Sequence, residues 1–237
     1  MKAISLSICA SLLFVGATFA QQANALTSKE KKEGWELLFD GKTTKGWHTY
    51  HQQSANAAWK VEDGALVFNP DADKSQRGDL VTDKTYKNYD LTLEWKISDG
   101  GNSGVIFGIH EDPKYGQTYE TGIEMQVLDN IHAEDNRIPS HLAGCLYDLI
   151  GGPEVSKPKP VGEWNTARIL YNNGQITLWF NGIKTAEVKK GSAEWNQLIA
   201  KSKFHDWEGF AKYDEGKIGL QDHGHVVAFR NIKIKSL

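Results

Sequence analysis

The chain has 237 residues, 40% of them hydrophobic, with a formal net charge of -3 and a mean hydropathy of -0.49. That balance leaves no basic surplus to neutralise phosphates, which argues against a nucleic-acid partner or retention on an anionic membrane and favours a neutral, polar ligand. The length suits a single soluble domain of sandwich size.

Met1 and Lys2 precede an apolar run from Ala3 to Phe19, followed by the small residues Ala20, Ala23 and Ala25. This is the charged, apolar and cleavable layout of a secretory leader, expected over 1–25. The run barely reaches the ~18 apolar residues that span a bilayer. The protein is therefore expected to be exported, periplasmic or secreted, with no membrane insertion after the leader is removed. Cys9 follows Ile8 inside the apolar run, which does not suit a lipid anchor. Without the leader only Cys145 remains, so no disulfide within the chain is expected.

Residues 26–33, with Lys29, Glu30, Lys31, Lys32 and Glu33 in a row, read as a solvated linker ahead of one domain over 34–237. Strands are expected over 65–68, 80–82, 89–97, 105–110, 122–129, 167–171, 175–180, 217–222, 226–229 and 232–234. Alternation fixes their faces. Leu91, Leu93, Trp95 and Ile97 oppose Thr92, Glu94 and Lys96; Met125 and Val127 oppose Glu124 and Gln126; Ile176, Leu178 and Phe180 oppose Thr177 and Trp179. Asn172-Asn173-Gly174, Asp63-Gly64 and Asn181-Gly182 mark tight hairpins. One short helix is expected over 193–202, capped by Ser192 with Glu194 in its first turn. The Gly- and Pro-rich stretch 130–160 reads as long, function-bearing loops around a short strand near 145–149. Together these define an all-β, two-sheet antiparallel sandwich or jelly roll.

No Gly-rich phosphate loop, Gly-x-Ser-x-Gly elbow or His-Glu-x-x-His element is present. Carboxylates, histidines and aromatics on strands remain. Glu124 and Gln126 share one strand face, where a carboxyl can act as base or metal ligand and an amide can hold a sugar hydroxyl, or the face is simply wet. Gln221, His223 and His225 form a second polar strand end, equally readable as a surface turn. His141 sits in the long loops. Of the eight tryptophans, Trp95 has core parity, whereas Trp179 falls on the polar parity as a candidate sugar-stacking platform. Cys145 reads as a small buried residue rather than a nucleophile.

Gly34-Trp35-Glu36-Leu37-Leu38-Phe39-Asp40-Gly41 with Gly46-Trp47, Trp59-Lys60-Val61-Glu62-Asp63-Gly64, Asn102-Ser103-Gly104-Val105, Glu124-Met125-Gln126-Val127-Leu128-Asp129, Gly162-Glu163-Trp164-Asn165 and Gly219-Leu220-Gln221-Asp222-His223-Gly224 together resemble the 3-keto-disaccharide hydrolase family. The resemblance implies a concanavalin A-like jelly roll, an exported enzyme and glycosides already oxidised to a ketone at carbon 3. Such a ketone acidifies the hydrogen on carbon 2, so a base can remove it and expel the aglycone from carbon 1. Water can then add, and the net reaction is that of a hydrolase or a lyase. On that basis Glu124, His141 and His223 are the candidate catalytic residues. Gln126, Asn102, Arg77, Tyr147, Gln221 and Trp179 are the candidate substrate contacts. Glu124, His223 and Asp129 are the candidate ligands of a divalent metal, and no organic cofactor is expected. One departure stands out: many relatives carry an arginine where this chain has Gly108, and Arg77 is the candidate substitute. The same sandwich also serves non-catalytic carbohydrate-binding modules and structural envelope domains, so fold alone does not choose among the three.

Overall fold

The computed structural model describes residues 22–237, so the expected leader lies outside the described residues apart from 22–25. Among the described residues thirteen strands form: β1 Trp35–Leu37, β2 Trp47–Thr49, β3 Trp59–Glu62, β4 Ala65–Phe68, β5 Leu80–Thr82, β6 Tyr89–Ile97, β7 Asn102–Ile109, β8 Ile123–Leu128, β9 Asn165–Asn172, β10 Gln175–Phe180, β11 Ile183–Lys189, β12 Lys217–Leu220 and β13 Val227–Ser236. All pairings are antiparallel. The larger sheet runs β11-β10-β9-β6-β13-β4-β3 with β1 on β13, and the smaller runs β2-β5-β12-β7-β8. No helix among the described residues is long and apolar enough to cross a membrane.

Strand alternation builds the core. Leu91, Leu93, Trp95 and Ile97 of β6 turn inward with Ile176, Leu178 and Phe180 of β10, and meet Val105, Phe107, Met125 and Val127 from the smaller sheet. Trp95 stacks on Phe180 with centroids 5.5 Å apart. The three expected tight turns all form with positive φ at both central residues: Asp63-Gly64, Asn173-Gly174 and Asn181-Gly182. Two α-helices accompany the strands, α1 Ser28–Lys32 and α2 Ala193–Lys201; α2 is the helix expected over 193–202, with Ser192 Oγ accepting from Trp195 N at 3.1 Å.

Three expectations change. The segments expected over 226–229 and 232–234 are one strand, β13, whose register shifts between Arg230 and Lys233 around Asn231 at φ 51. The linker expected over 26–33 is partly helical: Ser28–Lys32 starts with a capping box in which Thr27 Oγ1 accepts from Glu30 N at 3.1 Å. Glu30 also receives Lys233 Nζ at 2.7 Å, so this segment is tied to β13. The strand expected near 145–149 is reduced to isolated bridges, because the chain only grazes the edge of β8 before turning back at Leu146 and Ile150.

Candidate active site

The inward residues of β7, β8 and β12 leave the other parity facing away from the core. There Tyr50, Val81, Ile106 and Ile109 form a small separate apolar cluster. Beside it opens a cleft of about 320 Å³, floored by Asn102, Glu124, Gln126 and Gln221. Glu124 stands on β8 opposite Ile106, and its carboxyl folds over Gly104: a Cβ on that glycine would come within 2.1 Å of Glu124 Oε1. Glycine at 104 is thus what makes room for the carboxyl. Burial pushes the Glu124 carboxyl up to about 8, against a downward pull from Lys203; the negative charges of Asp79 and Asp135 raise it further. Asn102 Oδ1 and Gln221 Oε1 are buried on the same floor and find no hydrogen-bond partner within the protein.

A segment lying along β8 forms one wall. Gly144 N donates to Gln126 O at 2.8 Å, Gln126 N to Cys145 O at 3.1 Å and Tyr147 N to Glu124 O at 3.0 Å, which sets Tyr147 beside the carboxyl. Tyr147 OH donates to Asp135 Oδ2 at 2.9 Å; Asp135 Oδ1 lies 2.7 Å from His141 Nδ1, and His141 Nε2 lies 3.0 Å from Asp148 Oδ1. Asp148 Oδ2 in turn accepts Lys203 N at 2.8 Å. Burial and the Asp135 carboxylate raise the Tyr147 hydroxyl far above its usual range, which keeps it protonated.

Another wall of the cleft is aromatic. Tyr119 comes from a 3₁₀ turn, Thr118–Glu120, while Phe204, Trp207 and Phe210 come from the chain after α2. Phe204 and Phe210 stack with centroids 3.8 Å apart, and Lys203 Nζ sits 4.2 Å from the Tyr147 ring centroid. A polar floor under an aromatic wall suits a pyranose, which has hydroxyls at its edge and apolar hydrogens on its face.

The structure gathers Glu124, Gln126, Asn102, Gln221, Tyr147 and His223 around this cleft and leaves four candidates outside it. His141 is 5% exposed, and both its ring nitrogens face carboxylates, so neither is free to take a proton from a ligand. Arg77 is spent on Asp222, with Nη2 2.8 Å from Oδ1, and braces the turn between Gln221 and His223 without reaching the floor. Trp179 lies on the outer face of the larger sheet, under the Arg168 guanidinium at 4.5 Å. Asp129 lines a different hollow, where its carboxyl accepts from Gly100 N and Ile131 N, each at 2.9 Å. The metal set of Glu124, His223 and Asp129 is therefore not assembled. The triad whose ligand atoms do converge among the described residues, within 4.8 Å, is Asp99, Asp129 and His132.

Gly108 adopts φ +73 where the β7–β12 register shifts and lies away from the cleft, so an arginine is sterically disfavoured in this backbone. Cys145 is fully buried, with its thiol pushed up to about 12 by burial, as suits an inert packing residue. Sequence reasoning missed Asp135, Lys203 and the aromatic wall, which stand on or beside turns and short 3₁₀ segments. The only signals for them were the length of the 130–160 loops and the density of rings between 204 and 210.

Fold and cleft together define a lectin-like β-sandwich that carries a cleft with a buried carboxyl on its smaller sheet. The chain belongs to the family described as the 3-keto-alpha-glucoside-1,2-lyase-like domain, whose model matches residues 34–235. A Bacteroides thetaiotaomicron protein named 3-keto-disaccharide hydrolase is 33% identical over 244 residues, covering 92% of this chain and 83% of that protein. A crystal structure of a Parabacteroides distasonis protein, described provisionally as a glycosyl hydrolase, superposes with a TM-score of 0.81 at 35% identity, covering 91% of this chain and all (100%) of that one. A carbohydrate-binding module from Bacillus subtilis shares the fold alone, with a TM-score of 0.50 at 13% identity, covering 81% of this chain and 96% of that one.

Proposed function

We propose that this chain is an enzyme that cleaves 3-keto-glycosides in the cleft over Glu124, by elimination across carbons 1 and 2 followed by addition of water. One observation carries the reading: a buried carboxyl, raised to about 8, shares a floor with two buried amide oxygens that lack protein partners. The relative named for 3-keto-disaccharide hydrolysis supports the same substrate class.

In this reading ionised Glu124 takes the proton from carbon 2, and the electron pair moves toward the carbon 3 carbonyl as an enolate. Lys203 supplies positive charge to that oxygen, and Asn102 and Gln221 accept from the sugar hydroxyls. Collapse of the enolate forms the carbon 1–carbon 2 double bond and breaks the bond from carbon 1 to the aglycone oxygen, which takes a proton from His223 at the cleft mouth. Water then adds its hydroxyl to carbon 1 and gives its proton to His223, while Glu124 returns the abstracted proton to carbon 2, so both groups are restored. The balance is one water consumed and one aglycone alcohol released. No second carboxylate flanking an oxocarbenium ion is needed. Asp135, held by His141 and Tyr147, keeps the wall rigid beside the reacting carbons. The leader expected over 1–25 supports a reaction outside the cytoplasm.

Glu124→Gln keeps the shape and removes the base. A 3-keto-glucoside assay reading aglycone release should show kcat/KM falling ~100- to 10,000-fold, the usual scale for a general base. Undiminished turnover would remove Glu124 from this role. Binding of ordinary disaccharides with no turnover of any 3-keto-glycoside would favour the carbohydrate-binding module.

A further inference from the structure

A second hollow of about 480 Å³ adjoins the cleft, lined by the rings of Tyr115, Tyr119 and Trp207 and edged by Lys114, Glu120 and Glu208. Tyr119 and Trp207 belong to both hollows, with ring centroids 5.8 Å apart and planes tilted by 42°. The two rings are thus a threshold between the hollows rather than the rear wall of one. The charged groups at the far edge are already occupied. Lys114 Nζ donates to Glu208 Oε2 at 2.8 Å, and Glu120 Oε2 accepts from Gln117 N at 2.9 Å.

We propose that this hollow is the aglycone site and that it takes a flat, uncharged aromatic group in preference to a second sugar; the inference rests on the assignment of the cleft to 3-keto-glycosides. A sugar aglycone brings hydroxyls that lose water on entry, and here they would have to share edge groups that already pair with one another or with backbone. An aryl ring asks only for ring faces and edges, which three aromatic side chains provide. Among the described residues the cation lining this hollow is Lys114, already paired with Glu208, which does not favour an anionic aglycone. The reacting sugar and its leaving group then lie on either side of the Tyr119–Trp207 threshold.

The test uses the full-length protein and its Glu208→Trp variant, with methyl, phenyl and glucosyl 3-keto-glucosides in the anomeric configuration that the wild type turns over. Glu208 is 67% exposed at its side chain, so a bulky ring there fills the hollow from its edge with little demand on folding. The ratio of kcat/KM for the phenyl substrate to that for the methyl substrate should fall at least tenfold in the variant, chiefly through KM. An unchanged ratio overturns the aglycone site, and an equal loss for the glucosyl and phenyl substrates overturns the preference for an aromatic group. If the wild type turns over none of the three, the proposed reaction fails instead. Calorimetric binding of the phenyl and methyl compounds to both proteins then still decides whether the hollow holds the aglycone.

Discussion

Glu124 on β8 and Asp79, just ahead of β5, are two buried acids, raised by burial to about 8 and about 6 from ordinary values of 4.5 and 3.8. An acid whose folded value lies above its unfolded value binds its proton more tightly in the native state. As pH climbs, the unfolded chain therefore ionises first and stability falls. For Asp79 the loss runs from about pH 4 to about 6, and for Glu124 from about 4.5 to about 8, after which each contribution is constant. Glu124→Gln removes the larger loss. Urea denaturation should find the variant no more stable than wild type near pH 4 and more stable by on the order of 2 kcal/mol near pH 8. Parallel curves across that range would refute the buried, proton-holding carboxyl. The proposed pairing of base and acid predicts a bell-shaped pH profile of wild-type kcat/KM, since Glu124 must be ionised to act as base while His223 carries the proton it gives to the aglycone; a monotonic rise would remove His223 as the acid.

The strap over 144–147 shows how one element aims another. Its hydrogen bonds to β8 need a close approach to the larger sheet at Gly144, where φ is +79 and a Cβ would lie 2.5 Å from the Phe180 Cβ. Gly144→Ala combines backbone strain with overpacking and should cost about 2–3 kcal/mol, read from the denaturation midpoint at constant slope. Loss below about 0.5 kcal/mol would mean that the strap adapts freely. Legibility from sequence divides along the same line. Period-two alternation told which residues of β8 oppose the core, so Glu124 and Gln126 were readable as a pair. Alternation says nothing about which sheet a strand joins, and Trp179, correctly placed on an outer face, faces out from the wrong sheet for the cleft. Residues on turns or at single 3₁₀ turns, such as Asp135, Lys203 and Trp207, offer no run long enough for a period to be read. His141 was visible as a loop histidine, but its two carboxylate partners come from positions 135 and 148, and nothing local announces that pairing.

At the scale of the whole molecule, the sandwich is closed by contacts between its two ends. Asn24 N donates to Asn231 Oδ1 at 2.6 Å, Asn231 N returns a bond to Asn24 Oδ1 at 2.9 Å, and Asn24 Nδ2 reaches Gly64 O at 2.8 Å. One side chain thus joins the β3–β4 turn to the irregular point of β13, across a separation of 207 residues. Cleavage of the leader after Ala25 would delete all three bonds, whereas cleavage after Ala20 would keep them. At about 1 kcal/mol net per bond, the difference is a sizeable share of the stability of an ordinary domain. In a chain that retains residues 21–25, Asn24→Ala should therefore lower stability by about 1–2 kcal/mol, read by urea denaturation. A mature chain starting at Leu26 with unaltered stability would show that the sandwich closes without this clasp.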